Sequence, residues 1–341
     1  MKICQVVASR GTGGLERHFV DLCNQLARRH EVVAIAHPEF RGRLDAAVQF
    51  HALDLSGWRY NPAALFGLYR VLRRHRPQLV HAQANKAAAM VGLLRPFIRG
   101  GFVATVHNLK RDTGMFRPFD RVIAVSRRAA AQLDHAHVDV VYNGIDPPSL
   151  PADTGTGYLQ SALGREKLEP PVVIAVGRLV PAKGFDILLR AWQALPATLV
   201  IAGDGPERSR LEGMIRDYGL GDRVILAGYR RDVPALMASA DLMVIASRNE
   251  GFPYVLVEGL HVRRIIIATR VPGALDMLPD AFLVDYGSPE QLVAAVRRVL
   301  DDVEGARQAF MPVWALAARE LTVTRMVERT EEVYAKVPAV S

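Results

Sequence analysis

Arg248-Asn249-Glu250-Gly251-Phe252-Pro253-Tyr254-Val255-Leu256-Val257-Glu258 lies between an apolar stretch, Asp241 to Ala246, and a helical pattern. The run therefore sits where a strand hands over to a helix. In an open α/β sheet that crevice is where ligands bind. Gly251 lets a ligand approach the backbone, Pro253 suits a first helical turn, and the helix N-terminus offers free N–H groups to an anion. Glu258 then falls roughly two turns, on the order of 10 Å, beyond Glu250. That separation suits one extended ligand better than one shared proton. Taken alone, two acids on a turn and a helix are more often solvated surface groups, so the rest of the chain must decide.

Outward from this run, strands and helices alternate. In the first half, strands are predicted at Lys2 to Ala8, Glu31 to Ala36, Val48 to Leu53, Leu79 to Ala82, Phe102 to Val106, Arg121 to Val125 and Val138 to Tyr142. Helical patterns lie between them at Gly14 to Arg29, Pro62 to Arg74, Lys86 to Leu94 and Arg127 to Leu133. Five prolines and three glycines from Asp146 to Pro171 mark a linker. Alternation restarts at Val172 to Val176 and runs through a helix at Pro289 to Leu300. Such βα alternation argues for parallel sheets covered on both faces, and 341 residues exceed a single core.

Half of the residues are hydrophobic and 23% charged, as in a soluble globular protein. Cys4 and Cys23 fit neither a disulfide framework nor a metal spacing. No stretch reads as a secretory signal or a membrane span. Charge is uneven: residues 1–150 hold 21 Lys or Arg against 11 Asp or Glu, whereas the remainder holds 22 against 24. The basic clusters are Arg70, Arg73, Arg74 and Arg76, then Arg95 and Arg99, then Lys110, Arg111 and Arg117. With Phe97, Ile98, Met115 and Phe116 expected at the surface beside them, they could hold an anionic membrane, or form a solvated basic face. Nucleic acid ranks last, because neither an RNP-like aromatic motif nor a zinc pattern accompanies them.

The first βα turn, Ser9-Arg10-Gly11-Thr12-Gly13-Gly14, is glycine-rich but is not G-x-G-x-x-G, since no glycine follows among Leu15, Glu16, Arg17 and His18. No acid ends the second strand, so a nicotinamide site is disfavoured. The second half opens with Gly177-Arg178-Leu179, three residues, then Lys183-Gly184. Arg178 leaves a strand end and Lys183 stands at a helix start, so two fixed cations can converge on a diphosphate without a metal.

These motifs, with Gly203-Asp204-Gly205-Pro206, Gly228, Thr105-Val106-His107-Asn108, Val125-Ser126 and Tyr142-Asn143-Gly144-Ile145-Asp146, resemble the retaining glycosyltransferases of family 4 along essentially the whole chain. The resemblance implies the GT-B fold, an α/β architecture of two Rossmann-like doubly wound domains facing a central cleft. The expected domains are 1–165 on the acceptor side, 166–320 for the nucleotide-sugar, and 321–341 as a helix crossing back to the first. By the same resemblance Arg178 and Lys183 bind the donor diphosphate, Glu258 the ribose, and Glu250 with the Gly251 and Phe252 amides the donor sugar. Gly13 and Gly14 approach the diphosphate and sugar, His107 contacts the sugar, and Gly203 and Gly228 lie near the base. No residue stands out as a nucleophile, in keeping with the family's front-face mechanism.

One departure stands out. Where the family usually has glycine and proline after the glutamate helix, this chain has Val262-Arg263-Arg264. The expected activity is transfer of a sugar from a nucleoside-diphosphate sugar, UDP-sugar favoured, to a hydroxyl of a glycan or glycolipid such as lipopolysaccharide core. No metal, cofactor or nucleic acid is expected. The expected location is the cytoplasm, peripheral on the inner face of the membrane. A non-catalytic scaffold, and a phosphorylase or sugar-nucleotide epimerase of the same fold, are the alternatives.

Overall fold

The computed structural model describes residues 1–108 and 112–338. Lys110 and Arg111 of the basic clusters lie outside the described residues. The chain divides into two compact units, Met1–Gly144 with the chain from Glu320 on, and Ile145–Arg319.

In the first unit, strands β1 (Lys2–Val7), β2 (Glu31–Ala36), β3 (Gln49–Ala52), β4 (Leu79–Gln83), β5 (Gly101–Val106), β6 (Arg121–Ala124) and β7 (Val138–Val140) form one sheet. Its order is β3-β2-β1-β4-β5-β6-β7, and every pairing is parallel. The central strands are buried along their length, so they read as apolar runs rather than as an alternation. One face is covered by helix Gly14–Leu26, which inserts Phe19, Leu22 and Leu26 beside Val323, Met326, Val327 and Tyr334 of helix Val323–Ala335. The opposite face is covered by Pro62–His75 and Ala84–Leu94, whose Leu68, Leu72, Met90 and Val91 meet Phe102. Each such side chain contributes about 1.5–3 kcal/mol when fully buried. Asn61 caps helix Pro62–His75, its side-chain oxygen accepting from the Ala63 amide at 3.0 Å, and Pro62 pre-sets the first turn.

The expectation of an apolar rim beside the arginines holds for Phe97, which is 62% exposed, and fails for Ile98 and Phe116. Those two are buried in the core under β4 and β5, with Met115 packed partly against it. Other exposed aromatics lie in this unit, at Trp58, Tyr60 and Phe66. Cys4 and Cys23 are free and buried, and burial pushes the Cys4 thiol up to about 12, which makes it inert at neutral pH.

The second unit has β8 (Val172–Val176), β9 (Thr198–Ala202), β10 (Val224–Gly228), β11 (Leu242–Ile245), β12 (Ile266–Thr269) and β13 (Leu283–Val284), in the parallel order β10-β9-β8-β11-β12-β13. Both sheets therefore reverse direction beside their first strand, which creates the crevice where α/β sheets take ligands. The stretch read as linker contains a helix, Thr156–Leu163, which ends at Gly164 in the left-handed conformation. Its Leu159 is fully buried and its partner is helix Val233–Ser239, so residues 145–165 pack with the second unit, not with the first. Its isolated apolar positions, set among prolines and glycines, hid it. Among the described residues no helix is long and apolar enough to cross a membrane.

Candidate functional site

In the second unit the loops leaving β8, β9 and β11 are tied together by backbone. Leu179 N–H donates to Asp204 O at 2.9 Å, Glu207 N–H to Leu179 O at 3.0 Å, and Gly203 N–H to Gly228 O at 2.7 Å. Gly203 has φ +145, and a Cβ there would stand 1.9 Å from the Gly177 carbonyl oxygen. Only glycine permits this approach. Gly184 plays the same part on the other side: with φ +67, a Cβ would lie 2.0 Å from Ala246 O. The turn Pro181–Lys183 is thereby laid on the end of β11, where Arg248 N–H donates to Ala182 O at 2.8 Å.

This packing brings Lys183 and Glu250, distant in sequence, into an ion pair through Nζ and Oε1. The Ser247 hydroxyl reaches the same carboxylate oxygen at 3.4 Å. Arg178 leaves the end of β8 exposed. Pro253 is the N-cap rather than the first helical residue, and helix Tyr254–His261 carries Glu258 half-buried on its second turn. Gly251 and Phe252 are buried. Two residues that sequence reasoning passed over support this loop. Buried Asp186 holds Arg248 at 2.6 Å and Arg210 at 3.7 Å, and the Arg248 guanidinium lies 5.3 Å from the centre of the Tyr286 ring.

In the first unit Gly13 and Gly14 are exposed at the start of helix Gly14–Leu26, with Gly13 as an extended N-cap. The loop is anchored from outside by Arg43, whose Nη1 donates to Gly11 O at 2.8 Å. Buried Glu16 was also passed over; its Oε2 would lie 2.9 Å from a Cβ on Gly13. It occupies the first helical turn, where a carboxylate is favoured by the helix dipole and competes with any added anion.

His107, after β5, is buried, and its Nε2 lies 3.0 Å from Gln83 Oε1. Its ring meets His18 edge to face, with centroids 4.6 Å apart. His18 Nδ1 lies 3.1 Å from Asn143 Oδ1, a residue of the Asn-Gly-Ile-Asp run. Burial, with the neighbouring His18 and His81 adding to it, holds the His107 imidazole well below its ordinary range.

A cavity of about 870 Å³ lies at the other end of the second sheet, lined by Pro171, Asp241, Arg264, Ile265, Arg297 and Trp314. Its guanidiniums serve the fold, Arg264 donating to Ala240 O at 2.8 Å and Arg297 to Ala194 O at 2.7 Å. Arg263, in the departing segment, takes the left-handed conformation at φ 55, where glycine is the usual occupant.

Two Rossmann-like units, with cations and carboxylates gathered at the strand ends of the second, have the architecture of the GT-B fold. The family model for glycosyl transferases group 1 matches residues 161–310, and that for glycosyltransferase family 4 matches residues 12–148. The chain belongs to glycosyltransferase family 4. It is 28% identical to the lipopolysaccharide core biosynthesis glycosyltransferase LpsE of Rhizobium meliloti, over 85% of this chain and 86% of that one. It is 29% identical to LpsD of the same organism, over 85% of each chain. Among solved structures, Anabaena Alr3699/HepE in complex with UDP-glucose superposes with a TM-score of 0.85 at 22% identity, covering 98% of this chain and 99% of that one.

Proposed function

We propose that this glycosyltransferase is retaining and metal-independent, and moves a hexosyl group from a UDP-sugar to a hydroxyl of the lipopolysaccharide core. The observation that carries this reading is the gathering of Arg178, Lys183 and Glu250 at the ends of β8 and β11, beside the reversal of strand order. Arg178 and Lys183 take the donor diphosphate, Glu258 the ribose hydroxyls, and Glu250 with the Gly251 and Phe252 amides the sugar. Gly203 and Gly228 border the base.

The energetic problem is departure of a nucleoside diphosphate. As the bond from C1 to the phosphate oxygen lengthens, negative charge grows on that oxygen, and preorganised cations are worth most where charge develops. Arg178 and Lys183 supply two. The acceptor oxygen then bonds to C1 from the same face, and its proton passes to the leaving phosphate oxygen, so configuration is kept. UDP is favoured as carrier because HepE, of like fold, is described in complex with UDP-glucose. The acceptor follows from LpsE and LpsD, which are named for lipopolysaccharide core biosynthesis.

A lipid-borne acceptor calls for a peripheral seat on the inner, cytoplasmic face of the membrane. Phe66 is 60% exposed on helix Pro62–His75 with the Arg70 guanidinium 6.0 Å from its ring centre, and Phe97 is exposed beside Arg95 and Arg99. Such pairs insert a ring and hold anionic headgroups.

A thermal-shift screen across UDP, GDP, ADP and their sugars tests the donor site, because a bound ligand raises apparent stability by mass action. UDP should give the largest shift, and no shift with any nucleotide removes the assignment. Flotation with anionic liposomes at low salt tests the membrane seat, and protein left at the bottom of the gradient refutes it.

A further inference from the structure

The cavity of about 870 Å³ in the second unit is lined by residues that precede β8, β9, β11 and β12, whereas Lys183 and Glu250 follow the last residues of β8 and β11. It therefore lies at the opposite end of the strands, about 15 Å away along the five residues of β8. Four arginines line it, Arg263, Arg264, Arg297 and Arg307, against two acids, Asp241 and Asp301. Asp241 is already engaged, its Oδ2 accepting from Val172 N–H at 2.7 Å. Beside the arginines stand Leu300, half-buried Trp314 and the exposed Val303 and Met311, so cationic and apolar surface share one cavity.

Two features of this cavity are unfavourable to the fold by itself. Arg263 holds φ 55, the left-handed conformation in which a side chain is strained and glycine is not. Its exposed guanidinium has no partner among the described residues. Arg264 is half-buried, and its Nη1 and Nε donate to Ala240 O at 2.8 Å and Val262 O at 3.3 Å. Those bonds fix the guanidinium in place and leave Nη2 unused. Among the described residues no carboxylate lies within ion-pair distance of Arg264. Burial, with the Arg307 charge adding to it, holds this guanidinium below its ordinary range. Arg307 itself reaches only Glu304, at 3.7 Å on the exposed side. Neighbouring guanidiniums without an acid between them repel, and an anion that bridges them turns the repulsion into attraction. Backbone strain and unmatched cations gather where a ligand is held.

We propose that this cavity binds a phosphate monoester joined to an apolar body, with Arg263, Arg264 and Arg307 on the phosphate oxygens and Leu300, Val303, Met311 and Trp314 on the apolar part. Several guanidiniums offer more donors and more charge than one carboxylate can match, whereas a phosphate monoester is close to doubly charged and has three free oxygens. Inorganic phosphate would leave the apolar wall in water, and an uncharged lipid would leave the guanidiniums unmatched. The shared chemistry has two sources, a free phosphorylated amphiphile and a phosphatidic acid in a bilayer. Neither depends on the donor assignment made for Lys183 and Glu250.

Calorimetry with dihexanoyl phosphatidic acid below its micellar concentration tests the site, with inorganic phosphate and dihexanoylglycerol as partial ligands. The phosphatidic acid should bind roughly tenfold more tightly than either. Arg263→Gly combined with Arg307→Gln should weaken its binding by about tenfold or more. The ligand-free Tm of that double variant should not fall, because glycine relieves the strain at Arg263. Lys183→Met should bind the phosphatidic acid as the native protein does, which separates this cavity from the cations at the other end of the sheet. Flotation with vesicles of phosphatidylcholine and phosphatidic acid identifies the source: weaker flotation of the double variant marks a bilayer lipid, and equal flotation a free amphiphile. No binding, binding no tighter than that of inorganic phosphate, or equal binding by the double variant overturns the proposal, and so does loss of binding in Lys183→Met. A dimer that Met311→Ser abolishes, in protein that binds no amphiphile, assigns the apolar lip to a second copy of the chain and overturns it as well.

Discussion

Lys183 Nζ is ion-paired with Glu250 Oε1, one residue arriving from the loop after β8 and the other from the loop after β11. Their side chains are 22% and 16% exposed, so the pair is only partly screened by water. The cation assigned to the diphosphate is thus held by the carboxylate assigned to the sugar until a ligand separates them. Lys183→Met removes the charge that meets the leaving group, and kcat/KM should fall about 100- to 1000-fold. Glu250→Gln frees the lysine, so UDP should bind a few-fold more tightly while turnover collapses. Calorimetry and steady-state rates on both variants would show whether binding and turnover move in opposite directions.

The Arg248–Asp186 contact of 2.6 Å ties the residue two before Glu250 to the first turn after Lys183. Asp186→Asn weakens that tie and the longer contact to Arg210. A loss of about 1–2 kcal/mol is expected, which lowers Tm by several degrees in a domain of this size. The nucleotide KM should rise with it, and unchanged melting would mean that the contact carries no weight.

Gly203→Ala should be among the most damaging single-atom changes in the second unit. Its Cβ meets the backbone carbonyl of Gly177, which cannot retreat without breaking the Gly177 N–H to Ala202 O bond of 3.0 Å. Left-handed strain adds about 1 kcal/mol to the clash. Urea unfolding should show a loss of more than about 2 kcal/mol, together with loss of nucleotide binding.

Acid should weaken the first unit well before carboxylates titrate. Burial holds His18 down to about 4 and His81 down to about 3, whereas an unfolded imidazole takes its proton near 6.5. Between those values the unfolded chain binds more protons, so stability is complete above about pH 6.5 and declines as pH falls towards 4 and then 3. At pH 5 the loss is roughly 2 kcal/mol for each ring. Urea midpoints at pH 7.5 and 5.0 should differ accordingly, and His81→Gln should flatten the difference.

The sheets were legible because parallel strands buried on both faces leave apolar runs such as Leu242–Ile245. Lys183 and Glu250 were legible as site candidates, but not as a bound pair, since only the approach of Gly184 to Ala246 places them together. Gln5, His81, Gln83 and Tyr334 left no trace of their connection. They come from β1, β4 and the last helix, up to 329 positions apart, and a polar residue in a buried strand carries no mark of its partner. Helix Thr156–Leu163 was hidden by its flanking prolines and glycines, and burial of Ile98 and Phe116 was hidden by the arginines around them.

Helix Val323–Ala335 completes the core around Phe19 and Leu26, and it is separated from that core's other parts by the whole of Ile145–Arg319. During synthesis the second unit is therefore contiguous and can close as soon as it leaves the ribosome. The first must wait, with its strands made and one face uncovered, until Tyr334 has emerged. A ribosome that stops after residue 319 would release a chain with a finished nucleotide half and an open first half, the species that chaperones and proteases would remove.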